Sequence, residues 1–123
     1  MFTEVFGNSP QTKILDFLAD YPDYDYSVSE IAKRARVSRP TVYQVIAVLL
    51  QKKLIVKTRE HGPSSLYKIN TDSMLVRKML KFDFEIAKMV ADLEARHIEE
   101  NMKKGKNVKR FTQKSAVSYL TKL

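Results

Sequence analysis

Several residue types are scarce or missing in this chain of 123 residues, and each absence narrows what the protein can do. The lack of cysteine excludes disulfides, thiolate metal sites and cysteine nucleophiles. Only three glycines are present, which leaves little material for a phosphate-binding loop. No apolar run approaches the roughly 20 residues that cross a bilayer, and the N-terminus has no signal-peptide core. We therefore expect a cytoplasmic protein with no membrane partner.

Catalytic and cofactor motifs are missing as well. His61 and His97 stand alone, without metal-ligand spacing, and there is no GxSxG, Walker or GxGxxG motif. Asp23, Glu30 and Lys33 give only a faint metal-nuclease pattern, because the Glu-to-Lys spacing is one residue too long and both residues fall in a predicted helix. We predict no enzymatic activity, no metal and no cofactor, and no small-molecule ligand is evident.

Acidic residues are absent from two long stretches, and this segregates the net charge of +8. Residues 31–59 hold eight Lys or Arg and no acid, and residues 103–123 hold seven bases and no acid. By contrast, residues 1–30 hold six acids and one Lys. Cations grouped in this way are typical of a nucleic-acid-binding surface, whereas an ordinary solvated surface mixes its signs.

The first basic stretch also has the apolar pattern of two consecutive helices. Between Ser29 and Ile55, apolar residues recur at steps of three and four, and the cations fall between them on the outward faces. The inward positions are Ile31, Ala32, Ala35, Val37, Val42, Val45, Ile46, Leu49 and Leu50. We predict an earlier helix from Pro10 to about Asp20, a short strand at Tyr26, and a second helix that begins at Ser27 or Ser29.

The third predicted helix starts at Ser38, which can accept a hydrogen bond from the backbone N–H of Thr41. Arg39, Tyr43 and Gln44 face outward near its start. Arg and Gln side chains can make bidentate contacts to guanine and adenine edges. We therefore interpret this end of the helix as a candidate reader of base pairs.

Two β-prone runs, from Leu54 and from Leu66, flank a Gly-Pro-Ser loop and predict a hairpin after the third helix. The segment from about residue 8 to 70 resembles the winged-helix regulators of the ArsR, MarR and PadR kind, especially small archaeal members. The resemblance rests on FGNSP at 6–10, IAKRARVSRPTVYQVI, KKLIVKTRE, and Gly62 with Tyr67 and Ile69. One departure is Arg36, because the turn before the third helix often has Gly there.

This resemblance implies that the third helix enters the major groove of double-stranded DNA and that the hairpin touches the backbone or minor groove. The residues placed at the groove by position are Ser38, Arg39, Pro40, Thr41, Tyr43 and Gln44. Those placed near phosphates are Lys33, Arg34, Lys52, Lys53, Arg59, His61, Ser64 and Ser65. Arg36 adds a DNA-binding cation beside the third helix. The expected fold is mainly α with a small β-hairpin: a winged helix-turn-helix domain over 1–71 and a long dimerisation helix over 72–103.

The long helix carries a heptad seam of apolar residues spaced 4, 3, 4, 3, 4, which predicts a homodimer interface. The seam is Leu75, Met79, Phe82, Ile86, Met89 and Leu93. Its flanking apolar stripe is wider than a seam requires. Packing of the whole helix onto its own domain, or onto a different protein, remains an alternative.

Residues 104–123 form a basic C-terminal tail, interpreted as a DNA-binding arm, a mobile end or a short helix after Thr112. We expect a homodimeric regulator of transcription, most simply a repressor that binds an inverted repeat and is associated with the nucleoid. The alternative is a structural winged helix in segregation, replication or chromatin, or a protein–protein adaptor.

Overall fold

The computed structural model describes residues 1–60 and 64–105, which form five helices and three strands. In chain order these are α1 (Phe2–Phe6), α2 (Pro10–Asp20), β1 (Tyr26–Ser27), α3 (Val28–Ala35), α4 (Arg39–Gln51), β2 (Ile55–Arg59), β3 (Leu66–Ile69) and α5 (Met74–Lys103). The order of helix, strand, helix, helix and hairpin from α2 to β3 is the one predicted from the sequence.

Serine side chains start α2 and α3 at predicted positions. Ser9 accepts the backbone N–H of Thr12, and Pro10 occupies the first turn, where its missing N–H has no consequence. Ser27 forms a capping box with Glu30, in which each side chain accepts the other residue's backbone N–H. These caps satisfy donors that the helices leave free and fix where both helices begin.

The start of α4 differs from the prediction in one hydrogen bond. Ser38 is the N-cap residue, but its hydroxyl donates to the Thr41 hydroxyl at 2.8 Å and does not accept the Thr41 backbone N–H. The predicted cap bond is therefore wrong, because the two exposed hydroxyls satisfy each other. The helix itself runs from Arg39 to Gln51, close to the predicted span.

The three strands form an antiparallel sheet in the order β1–β3–β2. Tyr26 of β1 pairs with Tyr67, and Ile55 of β2 pairs with Ile69. The short strand predicted at Tyr26 is confirmed. Because β3 lies in the middle, the hairpin is attached to the segment that leads directly into α3.

The hydrophobic core lies between this sheet and helices α2, α3 and α4. In the helices, the buried side chains recur at steps of three and four residues, as predicted. This pattern in the sequence therefore specifies which face of each helix points inward. The largest fully buried side chains are Ile14, Leu18, Ile31, Leu49, Ile55, Ile69, Val42 and Val76. Val76 is the one in α5, so the long helix begins on this core.

Helix α1 is a finding that the sequence pattern did not predict. The ring of Phe2 is buried and stacks on Phe82 of α5, with centroids 6.5 Å apart, and Phe6 lies 6.2 Å from the same ring. The ammonium group of Met1 pairs with Asp16 of α2 and, at 3.0 Å, with Asp83 of α5. These contacts attach α1 to both the domain and the long helix.

Helix α5 begins at Met74, where Ser73 accepts the Val76 N–H, and ends at Lys103. Gly105 follows with a φ of 65°, which confirms a stop at that glycine. The predicted short helix after Thr112 and most of the basic tail lie outside the described residues. Within the described part of the chain, no helix is long and apolar enough to span a bilayer.

The predicted seam on α5 divides into two sets in the single chain. Ile86 and Leu93 are buried and Met79 is half-buried against the core, whereas Leu75, Phe82 and Met89 are 58%, 40% and 40% exposed. The exposed set recurs every seven residues and therefore lies along one side of the helix. In the described part of the chain, Leu75, Met89 and the part of Phe82 that α1 does not cover form an apolar face that is exposed to solvent.

Candidate nucleic-acid interface

The turn between α3 and α4 is built around Arg36, which adopts the left-handed conformation with φ 57° and ψ 48°. The backbone N–H groups of Arg36 and Val37 both bond to the Ala32 carbonyl, which closes the end of α3. The departure from glycine noted in the sequence is thus real, and a side chain occupies a position that favours glycine. The Arg36 side chain is exposed and, with Arg34, lines a shallow surface depression that also includes Asp16 and Asp20 of α2.

Helix α4 presents the predicted outward face. Val42, Ile46 and Leu49 are buried in the core, while Arg39 and Gln44 are exposed and Tyr43 is 47% exposed. The three exposed side chains lie within the first two turns of the helix. A long cation, an amide and a phenol are therefore grouped on the part of a helix-turn-helix that can enter a major groove.

The turn after α4 brings two more cations to the surface. Lys52 is the C-cap residue, and Lys53 has a φ of 58°, a second left-handed position occupied by a side chain. The Asn70 amide donates to the Lys53 carbonyl at 2.9 Å, and the Asn70 N–H bonds to the Leu54 carbonyl. Asn70 thus fixes a turn in which both lysines are exposed.

The β2–β3 hairpin supplies the remaining predicted residues. Arg59 and Ser64 are exposed, but Ser65 is 6% exposed, so its side chain does not lie at the surface expected of a phosphate contact. His61 lies outside the described residues. Lys57, which the sequence analysis did not select, lies 5.9 Å from the centroid of the Tyr67 ring.

The cations of this surface are largely free of carboxylate partners. Lys57 pairs with Glu60 at 3.8 Å. Over residues 1–60 and 64–105, no ion pair is formed by the other cations of the surface, which are Lys33, Arg34, Arg36, Arg39, Lys52, Lys53 and Arg59. A surface of this kind can exchange its counterions for phosphates without first breaking ion pairs.

The strained turn gives a first prediction, for the Arg36→Gly variant. Because glycine adopts positive φ without a Cβ clash, we expect the free energy of unfolding to rise by about 1 kcal/mol. The same change removes a cation from the proposed DNA face, so duplex DNA should bind more weakly. Chemical denaturation and a binding titration measure the two effects. If affinity is unchanged while stability rises, Arg36 does not contact DNA.

A group of three carboxylates is the candidate metal site in the described chain. Oxygens of Asp16, Asp20 and Asp83 lie within 4.8 Å of one another. The Met1 ammonium already pairs with Asp16 and Asp83, and no described Lys or Arg joins them. The buried Asp83 Oδ1 lies 3.0 Å from this ammonium, which supplies its compensating charge. Asp16 and Asp83 therefore hold α1 in place.

Burial and pairing act differently on the acids of this cluster. Burial raises the pKa of Asp20 above its ordinary value. Burial opposes ionisation of Asp16 too, but hydrogen bonds from the Met1 ammonium and the Phe2 N–H outweigh it and lower the pKa of Asp16. Asp16 is thus held ionised as the acceptor at the start of α1.

An apolar cleft of about 370 Å³ lies between α1, α2 and the beginning of α5. Phe2, Phe6, Leu15, Met79 and Phe82 line it, with Thr12 and Lys78 at its margin. None of these residues belongs to the cationic surface, and α1 forms one wall of the cleft. No pattern in the sequence indicated it, because α1 itself was not predicted.

Comparison with known proteins agrees with this geometry. Residues 8–62, a little under half of the chain, match the sequence model of the MarR family. The domain is a winged helix. The match lies within the span that the resemblance covered; the ArsR and PadR kinds and an archaeal type are not confirmed by it. No curated protein sequence matches the chain.

Among solved structures, the winged helix is similar to ZitR of Lactococcus lactis. A ZitR mutant in its apo form aligns with a TM-score of 0.56 and 16% identity, covering 92% of this chain and 80% of that one. Wild-type ZitR in complex with DNA aligns with a TM-score of 0.51 and 17% identity, covering 92% of this chain and 70% of that one. At these identities the likeness shows the fold.

Proposed function

We propose that this protein is a homodimeric regulator of transcription, most simply a repressor, that binds double-stranded DNA at specific sequences. The match to the MarR family supports a helix-turn-helix regulator, and one structural neighbour, ZitR, is in complex with DNA. In this proposal α4 enters the major groove and the hairpin formed by β2 and β3 contacts the backbone or the minor groove.

The observation that carries the proposal is the exposed start of α4 within a surface whose cations, apart from Lys57, form no ion pair in the described part of the chain. Arg39 and Gln44 project from that helix and can read base edges, whereas the cations beside it supply binding energy through phosphates. A protein–protein adaptor needs neither feature. The geometry therefore favours nucleic acid as the partner.

The homodimer is proposed from α5. Leu75, Phe82 and Met89 form an exposed apolar face along a helix of 30 residues, about 45 Å at 1.5 Å per residue. The same helix of a second copy can cover this face by two-fold symmetry. The two copies of α4 then bind the two halves of an inverted repeat. The centres of the half-sites lie about one turn of the DNA helix, or a multiple of it, apart.

The proposed function is tested by titrating the purified chain with duplex DNA at several salt concentrations. Neutralisation of several phosphates should make log K fall linearly with log salt, with a slope of about −0.9 for each phosphate that the protein neutralises. Competition with single-stranded DNA of the same length serves as the control. Binding that is absent at low salt, or equal for both forms of DNA, would rule out the proposed duplex recognition.

A second prediction concerns residues 106–123, which contain five Lys or Arg and no acid. If this tail lies along the duplex, its deletion should weaken binding to all DNA sequences about equally. The slope of log K against log salt should become shallower by about 0.9 for each phosphate that the tail neutralises. Discrimination between cognate and random DNA should remain, since phosphate contacts carry no direct sequence information. An unchanged slope would exclude the arm.

A further inference from the structure

A side-chain hydrogen bond joins the hairpin to the segment before α3. The Thr58 hydroxyl of β2 donates to the Asp25 carboxylate at 2.6 Å, across 33 residues of sequence. A short bond to an ionised acceptor is stronger than one between neutral groups. Neither residue was selected from the sequence, because a pattern along the chain does not show which loop meets which strand.

Thr58 occupies an irregular position in the sheet. Lys57 pairs with Tyr67 and Arg59 pairs with Leu66, the next residue of β3, so Thr58 is an extra residue in β2. Its hydroxyl also lies 3.4 Å from the Leu66 carbonyl. A bulge of this kind bends its strand and changes the direction of the side chains that follow. Arg59, exposed and on the proposed DNA face, is the side chain that follows.

Asp25 lies at the other end of the bond, directly before β1. Tyr26 pairs with Tyr67 in the sheet, and Ser27 caps α3. The bond between Asp25 and Thr58 therefore connects the bulge to the segment that starts the helix-turn-helix. This bond therefore adds a side-chain connection at the bulge to the β1–β3 pairing that already joins the hairpin to that segment.

We propose that Asp25 is a positioning residue: by holding Thr58, it aims the hairpin and Arg59 at the DNA backbone while α4 occupies the groove. This inference rests on the proposed DNA-binding function. It adds a residue that positions the hairpin relative to the DNA backbone. Asp25 itself, a carboxylate, contacts no phosphate. It acts through Thr58 and Arg59.

Because Asp25 is an acid, the positioning role and simple electrostatics predict changes of opposite direction in DNA affinity when it is removed. Removing an acid near a DNA-binding surface should strengthen binding, because repulsion between carboxylate and phosphates disappears. The positioning role predicts the opposite for Asp25→Ala, a loss of about fivefold, since the hairpin is no longer aimed at the phosphate that it should reach. Asp23→Ala is the matched control, as it removes an exposed acid of the same loop to which the described structure assigns no hydrogen bond.

The experiment measures duplex affinity and its salt dependence for the full chain and for Asp25→Ala, Thr58→Val, Thr58→Ser and Asp23→Ala. We expect Asp25→Ala and Thr58→Val to lose affinity by similar factors and to give a shallower salt slope. Thr58→Ser, which keeps the hydroxyl, should restore binding, and Asp23→Ala should bind as tightly as the parent or more tightly. In an Arg59→Ala background, Asp25→Ala should cause no further loss of affinity, because the positioning effect passes through Arg59 and only the relief of repulsion remains.

Other outcomes distinguish a failure of the positioning role of Asp25 from a failure of the proposed DNA-binding function. If the parent chain binds duplex DNA but Asp25→Ala binds equally or more tightly, Asp25 has no positioning role. A full additional loss in the Arg59→Ala background would also overturn it, because the effect would not pass through Arg59. If the parent chain itself fails to bind duplex DNA, the proposed function fails first.

Discussion

A chain carrying both Leu75→Asp and Met89→Asp is expected to be monomeric at concentrations where the parent chain is a dimer. Both side chains are exposed in the single chain and lie on the same side of α5 as Phe82. Aspartates there would place unpaired charges in the proposed interface and remove part of its apolar surface. Because each subunit would then bind a half-site alone, affinity for the full site should fall by about 10²–10⁴-fold.

Sedimentation gives the mass of the species in solution, and a DNA titration gives the affinity. Phe84→Asp is the matched control, since Phe84 is 69% exposed on the opposite side of α5. It should remain dimeric. Ile86 is a poor choice for this test although it belongs to the seam, because it is already buried within the chain. A parent chain that sediments as a monomer at tens of micromolar would remove the proposed interface.

Arg39→Ala and Gln44→Ala are expected to flatten discrimination at particular base pairs. Removal of each bidentate pair should cost about 1–3 kcal/mol against the cognate site, with little change in binding to random DNA. The fold should persist, because both side chains are exposed and the core of α4 lies on its other face. Competition titrations with single-base-pair variants of the site show which position each residue reads.

Gln51→Ala provides a control of the same residue type. Gln51 is exposed on the same face of α4 as Gln44, seven residues further from the start of the helix. It lies about 10 Å along the axis from Gln44, outside the end of the helix that enters the groove. Its replacement should leave discrimination unchanged. Full preference for the cognate site in both Arg39→Ala and Gln44→Ala would mean that α4 is not the reader.

The sequence predicted those parts of the fold that depend on local pattern. Helical periodicity placed α2, α3, α4 and α5, and the serine caps Ser9 and Ser27 fixed two of their starts. The β-prone runs placed β2 and β3 on either side of a Gly-Pro-Ser loop. In each of these elements, an apolar face and a terminal signal lie within one continuous segment, so the pattern can be read directly.

The features that the sequence pattern did not predict depend on contacts between distant segments. Helix α1 has five residues, too few for a periodic pattern, and it is held by Phe82 and Asp83, about 80 residues later in the chain. The bond between Asp25 and Thr58 was not predicted for the same reason.

The sequence predicted the candidate site as a surface, but the structure differs from that prediction at single residues. The exposed cations agree with the predicted outward faces, and the left-handed Arg36 agrees with the departure from glycine noted in the sequence. Ser65, directly before β3, is buried, whereas its assignment to the phosphate-contacting residues rested on sequence position alone. The Ser38 hydroxyl bonds to another side chain, a choice between two available partners that sequence cannot decide.

Mapping the sites that the protein occupies across its source genome tests the central claim most directly. A regulator of transcription that reads sequence through Arg39 and Gln44 should occupy one or a few promoters, each with an inverted repeat. Occupancy should disappear from those sites in the Arg39→Ala variant. A centromere-like array of sites, or diffuse coverage that Arg39→Ala leaves unchanged, would contradict regulation and indicate segregation or chromosome architecture.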